Sequence, residues 1–220
     1  MSDDVRRFLA NARPRGAAAE AKVVSLDELT RSPRSTEVWG MEALRGRLVE
    51  LSARGASATL SAAFDLVLEA QRAAEPVAWI TLAAASFYPP DAADAGIDLS
   101  ALVVVRASDA TAAARAAERL LRSGAFGLIV IDLGALANAD IGMPLQGRLV
   151  TLAQTHDAAV VCVTEKSPDT PSLGSLVSLR AEALRARGPH GFELQVRALK
   201  DKRRGPGWSR GRKARGPSGM

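Results

Sequence analysis

Asp132 is the side chain with the clearest chemical meaning in this sequence. It ends the run Gly127-Leu128-Ile129-Val130-Ile131-Asp132-Leu133. An apolar run without alternation predicts a strand buried on both faces, as in a parallel sheet covered by helices. A carboxylate at the carboxyl end of such a strand sits where open α/β sheets bind ligands. In P-loop nucleotide hydrolases an aspartate in this position helps hold Mg²⁺. Its meaning therefore depends on whether a phosphate-binding loop accompanies it.

That loop, GxxxxGK(S/T), belongs between the first core strand and its helix, in the stretch from Ser52 to Ser61. Its glycines let backbone N–H groups wrap the phosphates, its lysine neutralises them, and its hydroxyl reaches the metal. Here Ala53 and Ala58 take the two glycine positions, Thr59 replaces the lysine and Leu60 replaces the hydroxyl residue. A helix N-terminus still attracts anions, but tight nucleotide binding is not expected, and no cofactor or metal is assigned. Asp132 then reads as a relic that caps or hydrogen-bonds locally, with Mg²⁺ ligation as the alternative.

The remaining reactive side chains offer little. Cys162 lies in mid-strand with no Cys/His cluster around it, and reads as core. His156 falls at a helix end and His190 in a turn, with no paired carboxylate or nucleophile beside either. Glu165, at a strand end, is the best remaining acid–base candidate, although a solvated terminus accounts for it. There is no Gly-Xaa-Ser-Xaa-Gly or carboxylate-pair motif. The expectation is a chain without catalytic residues, not an enzyme.

The elements that would position these groups alternate. Strands are expected at 46–51, 77–82, 101–106, 127–133 and 159–164, all of the buried type. Helices are expected from Leu60 to Arg72, from a cap at Asp109 through Arg122, and from Pro144 to Thr155. This is an α/β pattern with a mainly parallel central sheet flanked by helices. Residues 177–187 and 192–200 flank Gly188-Pro189-His190-Gly191 and read as a C-terminal antiparallel hairpin.

Charge separates the ends from the core. The chain has 220 residues, 47% hydrophobic, with 29 Lys and Arg against 24 Asp and Glu. Residues 200–220 hold eight basic side chains (Lys200, Lys202, Arg203, Arg204, Arg210, Arg212, Lys213, Arg215) against Asp201, a balance of +7, so residues 1–199 carry −2 of the total +5. With Gly, Pro and Trp208 interleaved, residues 201–220 read as a disordered basic tail. Such a tail suits single-stranded DNA, with Trp208 stacking on a base, or an acidic protein surface, or simple solubility. Residues 1–35 read as an arm and linker in which Val24, Leu26 and Leu29 form a docking segment, leaving 36–200 as the core. The single cysteine, the polar N-terminus and the absence of an apolar run of about 18–20 residues point to the cytoplasm and to no membrane.

Taken together, Gly46-Arg47-Leu48-Val49-Glu50-Leu51, the degenerate loop, Gly96-Ile97-Asp98-Leu99 before a strand, the Asp132 run, and the hairpin ending in Lys200-Asp201-Lys202-Arg203 resemble a RecA core over roughly residues 36–208. The pattern departs from RecA in several places. The catalytic glutamate position falls near Ala84, and Glu165 stands where RecA proteins carry a γ-phosphate-sensing glutamine. The two DNA-binding loops shrink to about 136–143 and 167–174. A RecA-like core so stripped most resembles the ImuA-type accessory proteins of the bacterial mutasome; SulA-type division inhibitors share it. The resemblance implies a non-catalytic regulator of SOS mutagenesis and translesion synthesis. Its implied partners are RecA, the polymerase-like adaptor ImuB and, through ImuB, an error-prone replicative-type polymerase. A SulA-type division inhibitor and a residual RecA-like ATPase are the alternatives.

Overall fold

The computed structural model describes residues 38–82, 87–134, 140–188 and 191–214. The docking segment with Val24, Leu26 and Leu29, and also Ala84, His190 and Arg215, lie outside them.

A short helix α1 (Met41–Leu44) leads into β1 (Arg47–Ser52), followed by α2 (Thr59–Arg72), β2 (Val77–Leu82) and α3 (Pro89–Asp94). A single 3-10 turn precedes β3 (Leu102–Ala107). Then come α4 (Ala110–Arg122), β4 (Leu128–Asp132), α5 (Met143–Thr155), β5 (Ala159–Thr164), β6 (Leu179–Gly188), β7 (Gly191–Asp201) and β8 (Ser209–Ala214). All eight strands form one sheet in the order β3-β2-β4-β5-β1-β6-β7-β8. The first six in that order are parallel; β7 and β8 add antiparallel pairs.

Burial follows from the sequence. Every residue of β1, β2, β4 and β5 is buried, as continuous apolar runs demand when helices cover both faces. On one face Phe64, Leu66 and Val67 of α2 pack against Val49, Leu51, Trp79, Val130 and Val161. On the other, α4 and α5 cover Leu48, Ile80, Ile129, Ile131, Val160 and Cys162. Asp109 caps α4 by accepting the Ala112 N–H at 2.8 Å, and α5 carries proline in its first turn.

Two expectations need correction. β3 is an edge strand, not an interior one: Val103 and Val104 are 44% and 41% exposed. The basic tail is also not disordered through residue 214. After Asp201 the chain turns through Gly205 and Gly207, both at positive φ (80° and 97°), and returns as β8 paired antiparallel with β7 from Phe192↔Ala214 to Arg197↔Ser209. Glycine reaches that backbone conformation without Cβ strain. The tail lacks an apolar pattern because β8 is held by backbone pairing and by long-range side-chain bonds.

The strongest of those bonds is inside. Arg47 Nη2 meets Asp201 Oδ1 at 2.6 Å, with side-chain exposures of 2% and 0%. Arg47 also donates to Ser178 Oγ at 2.9 Å and to the Ser178 carbonyl at 3.0 Å. Asp201 accepts the Arg203 N–H at 2.9 Å and the Trp208 indole N–H at 3.0 Å. Burial pushes the Asp201 carboxyl up, but these donors outweigh it and hold it below the usual range.

Asp201→Asn leaves Arg47 charged and buried without its anion, so it should cost about 3–5 kcal/mol in urea denaturation at neutral pH. Because the carboxyl is depressed in the folded state, its stabilisation is complete above the unfolded value of about 4 and is lost as pH falls through the folded value. The parent chain should show that acid-side loss of stability, and the Asn variant should lack it.

Candidate functional site

β1, β5 and β4 are neighbours, and their carboxyl ends carry the loop 53–58, Glu165 and Asp132. The sheet therefore brings together the pieces the sequence singled out. The loop, however, is paired with β6 over part of its length.

The N–H groups of Ser57, Ala58 and Thr59 in the loop are taken by protein acceptors. The Ala58 N–H donates to the Ala183 carbonyl at 2.9 Å, and the Arg185 N–H donates to the Ala56 carbonyl at 2.9 Å. Ser57 and Leu184 form an antiparallel bridge. The loop is thus paired along β6. The Ser57 N–H turns back to the Gly55 carbonyl at 2.7 Å, and the Thr59 N–H to Ser57 Oγ at 3.3 Å. Ala53 and Ala58 are buried, and Leu60 packs against the α2-side core. Buried methyl groups therefore stand at the two glycine positions.

Asp132 is 1% exposed. Its Oδ1 accepts the Gly134 N–H at 3.1 Å, and its Oδ2 has no hydrogen-bond partner among the described residues. Burial pushes its carboxyl up; the Gly134 N–H and the nearby Trp79 indole pull the other way without cancelling this. The indole N–H lies near the carboxylate yet outside hydrogen-bond geometry and has no acceptor. Trp79 belongs to an aromatic cluster, 5.2 Å from Phe64 and 5.3 Å from Phe87 between ring centroids. Asp132 holds the turn after β4 as a local acceptor. No group of three or more potential metal ligands occurs among the described residues.

Glu165 is exposed, and its backbone N–H donates to the Gly134 carbonyl at 3.3 Å. Cys162 is fully buried, and burial drives its thiol far above the ordinary range, leaving it inert. His156 caps the C-terminal end of α5 and packs against Gly124, with no acid or nucleophile bonded to it.

The tail residues are largely committed to structure. Lys202 donates to the Ser175 carbonyl at 2.5 Å and Arg203 to the Gly46 carbonyl at 3.5 Å. Arg204 and Lys200 are half-buried. Burial, with Lys202 nearby, lowers the Lys200 ammonium. Trp208 lies against the core with its indole N–H on Asp201, so it is not presented for stacking on a base. Arg210 donates to the Trp39 carbonyl. Arg212 clasps Asp65 of α2 with two bonds of 2.6 Å. Lys213 stays exposed.

Sequence reasoning missed a buried polar network beside this site. Glu50, fully buried in β1, accepts from Thr164 Oγ1 at 3.1 Å, from the Leu173 N–H at 2.8 Å and from Lys166 Nζ at 3.2 Å. Arg180 of β6 approaches the same carboxylate at 3.9 Å and donates to the carbonyls of Thr170 and Ser167. Gln146 of α5 donates to the carbonyls of Ile141 at 2.6 Å and Leu173 at 3.0 Å. The segment 165–177, which includes one of the two shortened loops, is therefore fastened from below. A carboxylate set between the apolar residues Leu48, Val49 and Leu51 of β1 was the available signal.

Comparison with known proteins matches this arrangement to one family. The family described as RecA N-terminal domain matches residues 34–154. Protein RecA of Nocardioides sp. (strain ATCC BAA-499 / JS614) is 35% identical over 120 residues, which cover 50% of this chain and 33% of that protein. The chain thus spans about a third of the length of that relative. The crystal structure of the RadB recombinase superposes with a TM-score of 0.60 at 16% identity, covering 77% of this chain and 88% of that one, a likeness of fold. On the match over residues 34–154, the chain belongs to the RecA N-terminal domain family.

Proposed function

We propose that this chain is a non-catalytic, ImuA-type regulator of SOS mutagenesis and translesion synthesis. It works through contacts with RecA and with the ImuB–polymerase mutasome, and it suppresses RecA filament growth. One observation carries the reading: a RecA-family sheet is kept while its phosphate loop is paired along β6 and its strand-end aspartate is buried. Such a chain has a RecA-like shape to offer a partner and no nucleotide cycle to follow.

The sheet edges support the reading. Among the described residues β3 ends the sheet, with Val103 and Val104 exposed, whereas β8 at the other end carries Arg210, Arg212 and Lys213. Exposed apolar edges invite pairing with another chain, and basic side chains discourage it. A subunit with one adhesive and one guarded edge joins a head-to-tail assembly and stops it, since heterologous contacts otherwise propagate into open filaments.

Three outcomes follow. Substoichiometric protein should shorten RecA filaments on single-stranded DNA and reduce strand exchange; unchanged filaments at equimolar protein overturn the proposal. Asp132→Ala should keep full activity in that assay, and calorimetry with ATP and Mg²⁺ should show no saturating heat at micromolar nucleotide. For single-stranded DNA as a partner, removal of residues 215–220 is the appropriate truncation, because a cut at 201 removes Asp201 and β8. Binding that survives this cut, yet weakens steeply with salt, would assign DNA contact to the folded basic residues.

A further inference from the structure

The surface of α4 and α5 carries an arginine cluster that none of the chemistry above uses. Arg115, Arg119 and Arg122 recur at positions four and three apart on the outer face of α4, and Arg148 of α5 stands beside them. All four are exposed. Two carboxylates share this surface. Asp109 is occupied with the cap of α4. Glu118 braces two of the guanidiniums, bonding Arg122 at 2.8 Å and Arg148 at 3.2 Å. Arg119 has no acid partner among the described residues, and Arg115 meets Asp109 only through space. The patch is therefore positive within a region, residues 1–199, whose net charge is −2. An open groove of about 370 Å³ runs between Arg115, Glu118, Arg119, Arg122 and Arg148.

Beside the cluster the surface turns apolar. Val105 of β3 and Ala112, Ala116 and Leu120 of α4 are half-buried, and Val103, on the same side of β3, is exposed. Phosphate backbones gain nothing from these groups, and Glu118 in the middle of the groove repels them. A protein segment with carboxylates on one side and apolar side chains on the other satisfies both halves. Arginine next to apolar surface is the composition of protein interfaces.

The geometry points to a docking site for an acidic amphipathic helix of a partner protein, lying along α4. Its carboxylates pair with Arg115, Arg119 and Arg148, and its apolar side chains cover Val103, Val105 and Leu120. Charge and apolar surface together set this partner class; the site shares Val103 with the β3 edge, and the peptide measurement below reads it without RecA.

The test uses the full chain and a labelled synthetic helix of about 16 residues with a glutamate face and a leucine stripe. Fluorescence anisotropy should show binding that weakens about tenfold or more in Arg115→Glu/Arg119→Glu, and also on raising salt from about 50 to about 300 mM. The neutral pair Arg115→Gln/Arg119→Gln should give an intermediate loss. Arg187→Glu, on the distant β6–β7 hairpin, should leave binding unchanged. Thermal melts of these surface variants should match the parent. The site is refuted by no binding, by equal binding after charge reversal, or by equal binding of the same peptide with lysine for glutamate. Loss of oligothymidylate binding in the reversed variant, with peptide binding intact, would make this a nucleic-acid surface and overturn the proposal.

Discussion

The buried pair of Arg47 and Asp201 is the constraint on which the rest of the architecture depends. The two residues lie 154 positions apart, at the start of the first strand and the end of the seventh. They meet across β6, which lies between β1 and β7 in the sheet. An ion pair taken out of water gains little unless its remaining donors and acceptors are also satisfied. Here Ser178, Arg203 and Trp208 complete the set, each from a segment that closes the sheet. The interaction specifies which turn follows β7, and so delivers β8 to its place.

At the opposite end of β1, small changes in side-chain size have large consequences. Alanine at 53 and 58 adds two methyl groups, both buried. The backbone between them pairs with β6 instead of curling round an anion. Phe64, Trp79 and Phe87 then pack together on the same face of the sheet as Asp132. Loss of the cation, loss of the glycines and growth of apolar contact agree with one another, as expected when a site turns into core.

The parallel strands and their helices were legible because their signals are local: unbroken apolar runs, an Asp cap before α4, a proline opening α5. The degenerate loop and Asp132 were legible as positions, and the sheet places them at the ends of β1 and β4, with β5 between. Three features were not. β3 has the composition of an interior strand, and its edge position depends on topology, which no window of residues encodes. β8 looks like a disordered basic tail, because Arg212 is matched by Asp65, 147 residues earlier. The Glu50 network joins partners 114 and 123 residues away. Long-range polar pairing leaves no period in a sequence, whereas burial does.

The fastening of residues 165–177 changes what a binding event at that segment would involve. Glu50, Arg180 and Gln146 already fix its carbonyls and one of its N–H groups from beneath. A segment that must order on contact gives up conformational entropy at that moment, and its affinity is lowered accordingly. This one has given it up during folding. Any contact there would be rigid docking, with a modest heat-capacity change and an association rate set by orientation and charge. Where a mobile loop would mould itself to many partners, a surface fastened in this way would admit those that already fit.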